Sequence, residues 1–191
     1  HPLNDEPDLL EEASRLSDQL PGYRVEILEG QIVVSPPPDG PHAQSMTDLV
    51  FAFATLHGGG TWILPGAGVW LDSGPSDFAI PDLAVVDAEY RAHLAEFNCY
   101  DPAVFRMVLE VTSSNYRTDL KAKVSAYANV KIPVYLIINR KKQRIHLLTE
   151  PLDDDYSSHR VFAPGERITL PASVGAEVEL DVEAILAAGR S

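Results

Sequence analysis

Apolar residues recur along this chain with two spacings, one near 3.6 residues and one of two, and together they predict its elements. Over Pro7–Leu20 the positions Leu9, Leu10, Ala13, Leu16 and Leu20 share one helical face, and Asp8, Glu11 and Glu12 put acid at the positive end of the helix dipole. Tyr23–Leu28 and Gln31–Val34 read as strands joined at Glu29-Gly30, where glycine supplies the positive φ of a tight hairpin. The run Ser35–Pro41 then has to leave the sheet, because its consecutive prolines have no N–H to give to a ladder. This rigid connector leads into a helix over His42–Leu56, with Met46, Leu49, Val50 and Phe53 on one face and His57–Gly60 ending it.

The middle of the chain is richer in strands. Thr61–Leu64 and Gly68–Leu71 are short candidates, and Ile80–Val86 is a buried one. After a brief return of helical content, Arg106–Val111 reads as a central strand, Asp119–Asn129 as a helix and Val134–Ile138 as another strongly apolar strand. Asn139–Arg144 is the turn into Ile145–Leu148, which makes a hairpin. Short strands near Arg160–Phe162, Ile168–Leu170 and Glu177–Leu180 precede a closing helix over Asp181–Ala188. The order predicts an α/β fold: a mixed central sheet covered by helices in an α/β/α sandwich, an N-terminal helix over 1–22, and an added β-rich C-terminal part over 149–191.

Composition narrows the class. A length of 191 residues with 45% hydrophobic content suits one domain over 1–191, with a core that needs neither disulfides nor structural metal. Cys99 is the sole cysteine, no apolar run is long enough to span a bilayer, and no basic-then-apolar leader opens the sequence, so a cytoplasmic protein without membrane association is expected. The net charge of −13, from 28 acidic and 15 basic residues, argues against tight nonspecific DNA binding. It leaves room for a local patch, since Arg140, Lys141, Lys142 and Arg144 fall within one short turn.

Two carboxylates stand out against their surroundings. Asp82 interrupts Ile80–Val86 and Glu110 interrupts Met107–Val111, and an ionised group in an apolar strand is costly unless something compensates it. A divalent cation shared between them would offset both costs, and Mg²⁺ takes one or two protein carboxylates while keeping several waters. The alternative is an Arg or Lys partner for each. On the following helix, Leu120, Val124 and Tyr127 share an apolar face; at roughly 100° per residue Lys123 lies about 60° from its centre and Lys121 about 100° away on the other side. Lys123 is therefore the lysine placed to reach inward, where an ammonium could steady developing phosphate charge; the competing role is a stem lying along an apolar stripe. No P-loop, paired-cysteine zinc site, helical His-Glu-x-x-His or dinucleotide fingerprint is present, and Asp153-Asp154-Asp155 lacks the glycine and distal glutamate of a calcium loop and reads as a solvated turn.

Pro81-Asp82, then Glu110-Val111-Thr112, then a lysine on the next helix resembles a PD-(D/E)xK core whose lysine has moved from strand to helix; Thr112 holds the usual lysine position. The wider chain, from about Tyr23 to Leu148, resembles the Uma-two family of restriction-endonuclease-like proteins. The resemblance rests on Glu26–Gly30, Val33–Pro38, His42, Pro81-Asp82-Leu83, Glu110–Ser113, Asp119 with Lys123, Tyr127, and Ile132–Ile137. It implies a restriction-endonuclease-like α/β/α core, Mg²⁺ or Mn²⁺ held by Asp82 and Glu110, and catalytic assistance from Lys123. It also implies that Glu26 extends the metal site and that His42 orients water or contacts phosphate. A solvent-facing strand position for Glu26 and a capping or packing role for His42 stand as alternatives. Gln31 and Val134 depart from the family pattern, where acidic residues are usual.

The function so implied is metal-dependent hydrolysis of DNA phosphodiester bonds. The DNA would be met by a local basic face with Lys121, Arg117 and the 140–144 turn as candidates, and a homodimer would be the simplest way to cut both strands. Two other readings follow from the same residues: a catalytically idle binding or assembly module on the nuclease scaffold, and hydrolysis of smaller phosphoesters, which the negative charge opposes less.

Overall fold

The computed structural model of the chain describes residues 8–112 and 116–187, without the side chains of 116–119. Ser113 and the side chains of the motif residue Asp119 and the candidate cation Arg117 lie outside what is so described. Helix α1 (Leu9–Gln19) starts at an Asp8 cap and is followed by the hairpin β1 (Arg24–Leu28) and β2 (Gln31–Ser35). Then come α2 (Gly40–Ala52), β3 (Thr61–Pro65), β4 (Gly68–Trp70), β5 (Phe78–Ala79), β6 (Leu83–Asp87) and β7 (Cys99–Tyr100). The second half holds β8 (Phe105–Thr112), α3 (Tyr116–Asn129), β9 (Val134–Asn139), β10 (Arg144–Leu152), β11 (Asp155–Phe162), β12 (Arg167–Thr169), β13 (Glu179–Asp181) and α4 (Val182–Ala187).

The central sheet runs β11-β10-β9-β8-β6-β3 and is mixed: β8 and β9 are parallel, joined by α3, and the other neighbours are antiparallel. Strand alternation sorts β8 between two cores. Met107, Leu109 and Val111 pack with Leu49 of α2, Phe53 at its C-terminal cap, and Ile185 and Leu186 of α4, while Val108 packs on the opposite side with Leu120 and Tyr127 of α3. A second sheet, β2-β1-β5-β4-β7, shares that opposite core through Leu28, Val69 and Ala79, and α1 covers its far side against Val25 and Ile27. The α/β fold with a mixed sheet between helices is as the sequence predicts. The extra β-structure is distributed differently, because much of it comes from the first half of the chain and roofs the α3 face.

Several boundaries move for local reasons. Asp82 is not inside a strand: Phe78–Ala79 belongs to the second sheet, the chain bends at Pro81-Asp82, and only Leu83–Asp87 joins the central one. Pro81 has no N–H for a ladder, which makes that exit natural. Ser35 stays in β2, whereas Gly40 and Pro41 form the first turn of α2 under an Asp39 cap whose Oδ1 accepts the His42 N–H at 2.8 Å. The β9–β10 hairpin forms across the predicted turn, but its second strand runs past Leu148 to Leu152 and makes a further hairpin with β11 that turns at Asp153-Asp154, with Asp153 at φ 52°.

The β1–β2 hairpin turns with Glu29 and Gly30 both at positive φ, 52° and 73°. Asp77, 1% exposed, holds that turn from a distance: its carboxylate accepts the Glu29 N–H at 2.8 Å, the Gly30 N–H at 3.1 Å and the Ser73 hydroxyl at 2.6 Å. Asp77→Ala leaves both amides without that acceptor and is expected to lower stability by about 2–4 kcal/mol, read as a lower urea midpoint at unchanged slope.

Candidate active site

Four elements meet at one cluster. Strand β1 carries Arg24 and Glu26 two residues apart, hence on the same face, and that face looks toward α3 and the central sheet because Val25 and Ile27 are taken up by α1. Glu110 lies on the α3 side of β8. The antiparallel register that pairs Leu83 with Leu109 sets Asp82 opposite Glu110 one step further on. Lys123 comes inward from α3, and His42 sits in the first turns of α2.

The contacts form one continuous network. Lys123 Nζ donates to Glu110 Oε1 at 2.7 Å and lies 2.9 Å from Glu26 Oε2, which also accepts the Ile80 N–H at 2.8 Å. The Tyr127 hydroxyl donates to Glu110 Oε1 at 3.1 Å. Arg24 Nη1 donates to Asp82 Oδ1 at 2.9 Å and to the Ile80 carbonyl at 3.2 Å, and Arg24 Nε lies 3.4 Å from Glu26 Oε1. Asp82 Oδ2 accepts the Val111 N–H at 2.8 Å and has His42 Nε2 at 3.4 Å. Glu26, Glu110 and Lys123 are only 1%, 5% and 4% exposed. Asp82 is the carboxylate nearest to open space, at the edge of a cavity of about 390 Å³ lined by Arg24, Pro36–Pro38, Asp39, His42 and Arg140.

The structure thus brings together all five residues singled out in sequence: Asp82, Glu110, Lys123, Glu26 and His42. Glu26 is not solvent-facing, because β1 is buried on both sides. Lys121 is exposed and borders a different cavity of about 710 Å³, with Glu29, Asp154 and His159. Of the basic turn, Arg140 lines the Asp82 cavity while Lys141, Lys142 and Arg144 face solvent. Sequence reasoning missed Arg24 and the polar role of Tyr127. The first was signalled by its two-residue spacing from Glu26; the second is hidden because tyrosine on an apolar stripe looks like core.

Electrostatics follows from burial and pairing. Burial pushes the Glu110 carboxyl up against the pull of Lys123, with Glu26 and Asp82 adding to the rise. Burial alone would lower the Lys123 ammonium, but Glu110 and Glu26 outweigh it and hold it above its ordinary value. Burial would likewise raise Asp82, yet the His42 hydrogen bond, Arg24 and the Val111 N–H hold its carboxyl below its ordinary 3.8. Three carboxyls face two cations, so with all three ionised and His42 neutral the centre carries one surplus negative charge.

The donors suit a hard divalent cation in kind and number, since two adjacent carboxylates are what Mg²⁺ takes from a protein while retaining water. Among the described residues no group of three or more His, Cys, Asp or Glu is arranged to hold an ion, and Arg24 already occupies Asp82 Oδ1. An ion held by Asp82 and Glu110 would have to keep much of its own hydration, and the guanidinium would have to yield one Asp82 oxygen.

A carboxyl held below its ordinary value stabilises the fold above that value, and the contribution is lost as pH falls through the folded-state value. Asp82→Asn is expected to lower stability by about 1–3 kcal/mol at neutral pH. The gap to the unsubstituted protein should narrow as the pH drops below 3.8, which denaturant curves across pH will read.

Comparison with known proteins agrees with this architecture. A solved structure described as a putative nuclease belonging to DUF820, from Anabaena variabilis ATCC 29413, superposes with a TM-score of 0.66 over 87% of this chain and 91% of that one, at 14% identity. That likeness is one of fold. A comparison with curated proteins finds no match. The Uma2 family, described as "Putative restriction endonuclease", matches residues 10–183, more than the motif-bearing stretch alone, and the chain belongs to that family.

Proposed function

We propose that the protein is a Mg²⁺-dependent, or Mn²⁺-dependent, phosphodiesterase acting on DNA, with Asp82 and Glu110 as metal ligands, Lys123 and Glu26 completing the charged centre, and His42 at its mouth. The observation that carries this reading is the convergence of Glu26, Asp82 and Glu110 with Lys123 beneath a cavity that opens at Asp82. A divalent cation there would supply the Lewis acid that polarises a phosphodiester and activates water. Lys123 remains charged in its carboxylate cage and contributes positive potential from below, at low dielectric. His42, with Nε2 3.4 Å from Asp82 Oδ2, orients the attacking water or contacts the phosphate. Arg140 at the cavity wall, continued by the exposed Lys141, Lys142 and Arg144, gives the phosphate backbone a local basic approach on an otherwise acidic chain. Two copies of the chain would supply the two centres that duplex cleavage calls for.

A second reading, an idle binding or assembly module, is favoured by one specific observation: each of the three carboxylates already has an internal cation or amide partner. Metal-loaded protein incubated with duplex, single-stranded and branched DNA, and with dinucleotides, separates the readings. Cleavage of at least one DNA form is expected, falling more than about a hundredfold in Asp82→Asn and Lys123→Met and less in His42→Ala. Faster turnover of dinucleotides than of long DNA would point to small phosphoesters. Absence of cleavage, together with calorimetric Mn²⁺ binding that is undetectable or unchanged in Asp82→Asn, would leave the idle module.

A further inference from the structure

Arg24 has no assigned role, yet it stands between the carboxylates and open space. Its side chain is 26% exposed and borders both the 390 Å³ cavity and a neighbouring one of about 280 Å³ that also reaches Asp82. Nη1 serves Asp82 and the Ile80 carbonyl, while Nε is buried without a hydrogen bond of its own. Lys123 differs in every respect: it is almost fully enclosed, and its two carboxylate partners are fixed by Ile80 N–H and the Tyr127 hydroxyl.

We propose that Arg24 is a displaceable internal counter-ion, which neutralises Asp82 in the metal-free protein and, once a divalent cation takes Asp82 Oδ1, turns into the cavity to become the ligand of an anionic phosphate. This rests on the metal reading of the same centre. Charge counting supports the exchange. Glu26, Asp82 and Glu110 against Arg24 and Lys123 leave a net −1; adding a divalent cation makes +1, and moving the guanidinium out returns the centre to neutrality. Geometry supports it too. The Arg24 backbone is pinned by its pairing with Ser35 in the hairpin, so only side-chain torsions need change, and the cavity that receives the guanidinium already holds His42 and Arg140. A planar fork suits a phosphate, with two parallel donors for two oxygens.

Calorimetry on the metal-free full chain tests the exchange, with Mn²⁺ as the first probe and methyl phosphate, added to the Mn²⁺-loaded protein, as the second. Removing the competing guanidinium in Arg24→Gln is expected to tighten Mn²⁺ binding about tenfold and to weaken methyl phosphate binding by a similar factor. Mn²⁺ should also raise the Tm of Arg24→Gln more than that of the unsubstituted protein, since the variant starts with Asp82 lacking its guanidinium partner. Arg24→Lys, which keeps the charge without the fork, serves where Arg24→Gln does not fold, with the same directions and smaller changes. Mn²⁺ affinity unchanged or weakened in the variants, or methyl phosphate affinity unchanged, overturns the role of Arg24 while leaving the metal site standing. Mn²⁺ taken up by none of these proteins, or bound equally well after Asp82→Asn, overturns the metal reading and this inference with it.

Discussion

One ammonium shared by two buried carboxylates ties the layers of this protein together. Glu26 belongs to the second sheet, Glu110 to the central sheet and Lys123 to the helix between the parallel strands, so the salt bridges at 2.9 and 2.7 Å join three elements at a point nearly closed to water. Burying such charges is expensive, and removing one partner of a buried pair typically costs about 3–5 kcal/mol because the survivor is stranded. The remaining contacts follow from that constraint: Tyr127 and the Ile80 amide satisfy further carboxylate lone pairs, and Arg24 takes up the outer edge that Lys123 does not reach. The second sheet is held over α3 by an apolar core and, within it, by this polar bolt.

How much of this the sequence discloses depends on the range of the interaction. The β1–β2 hairpin, the apolar strands β8 and β9 and the inward phase of Lys123 are local properties, written in spacings of two and 3.6 residues. The two-residue strands β5 and β7 have no period to detect, and they exist only because β1 and β4 offer them edges. Asp77 reaches its hairpin from 47 and 48 positions away, which no window along the chain could reveal. Asp82 is the most instructive residue. Its apolar neighbours are buried as the pattern suggests, but they are divided between two sheets, so the carboxylate sits at the bend between them with one side toward open space.

Charge behaves differently at the two scales. Over the whole chain acid prevails by 13, which suits a protein that does not cling to polyanions at large. At the cavity the permanent cations Arg24 and Arg140 stand beside Asp82 and Asp39, so the local field is set by which of these pairs is intact. Selectivity for a charged ligand can then be concentrated in a small area without making the rest of the surface sticky.

The proline run Pro36–Pro38 forms part of the cavity wall. Each ring fixes its own φ and offers no amide hydrogen, so this rim has little chain entropy left to lose when something docks against it and no backbone donors with which to hold an anion. What the rings offer on that side is shape alone. Anything docking there would meet a preset width on that side and would have to draw its affinity from the side chains on the other, so the opening would act as a gauge.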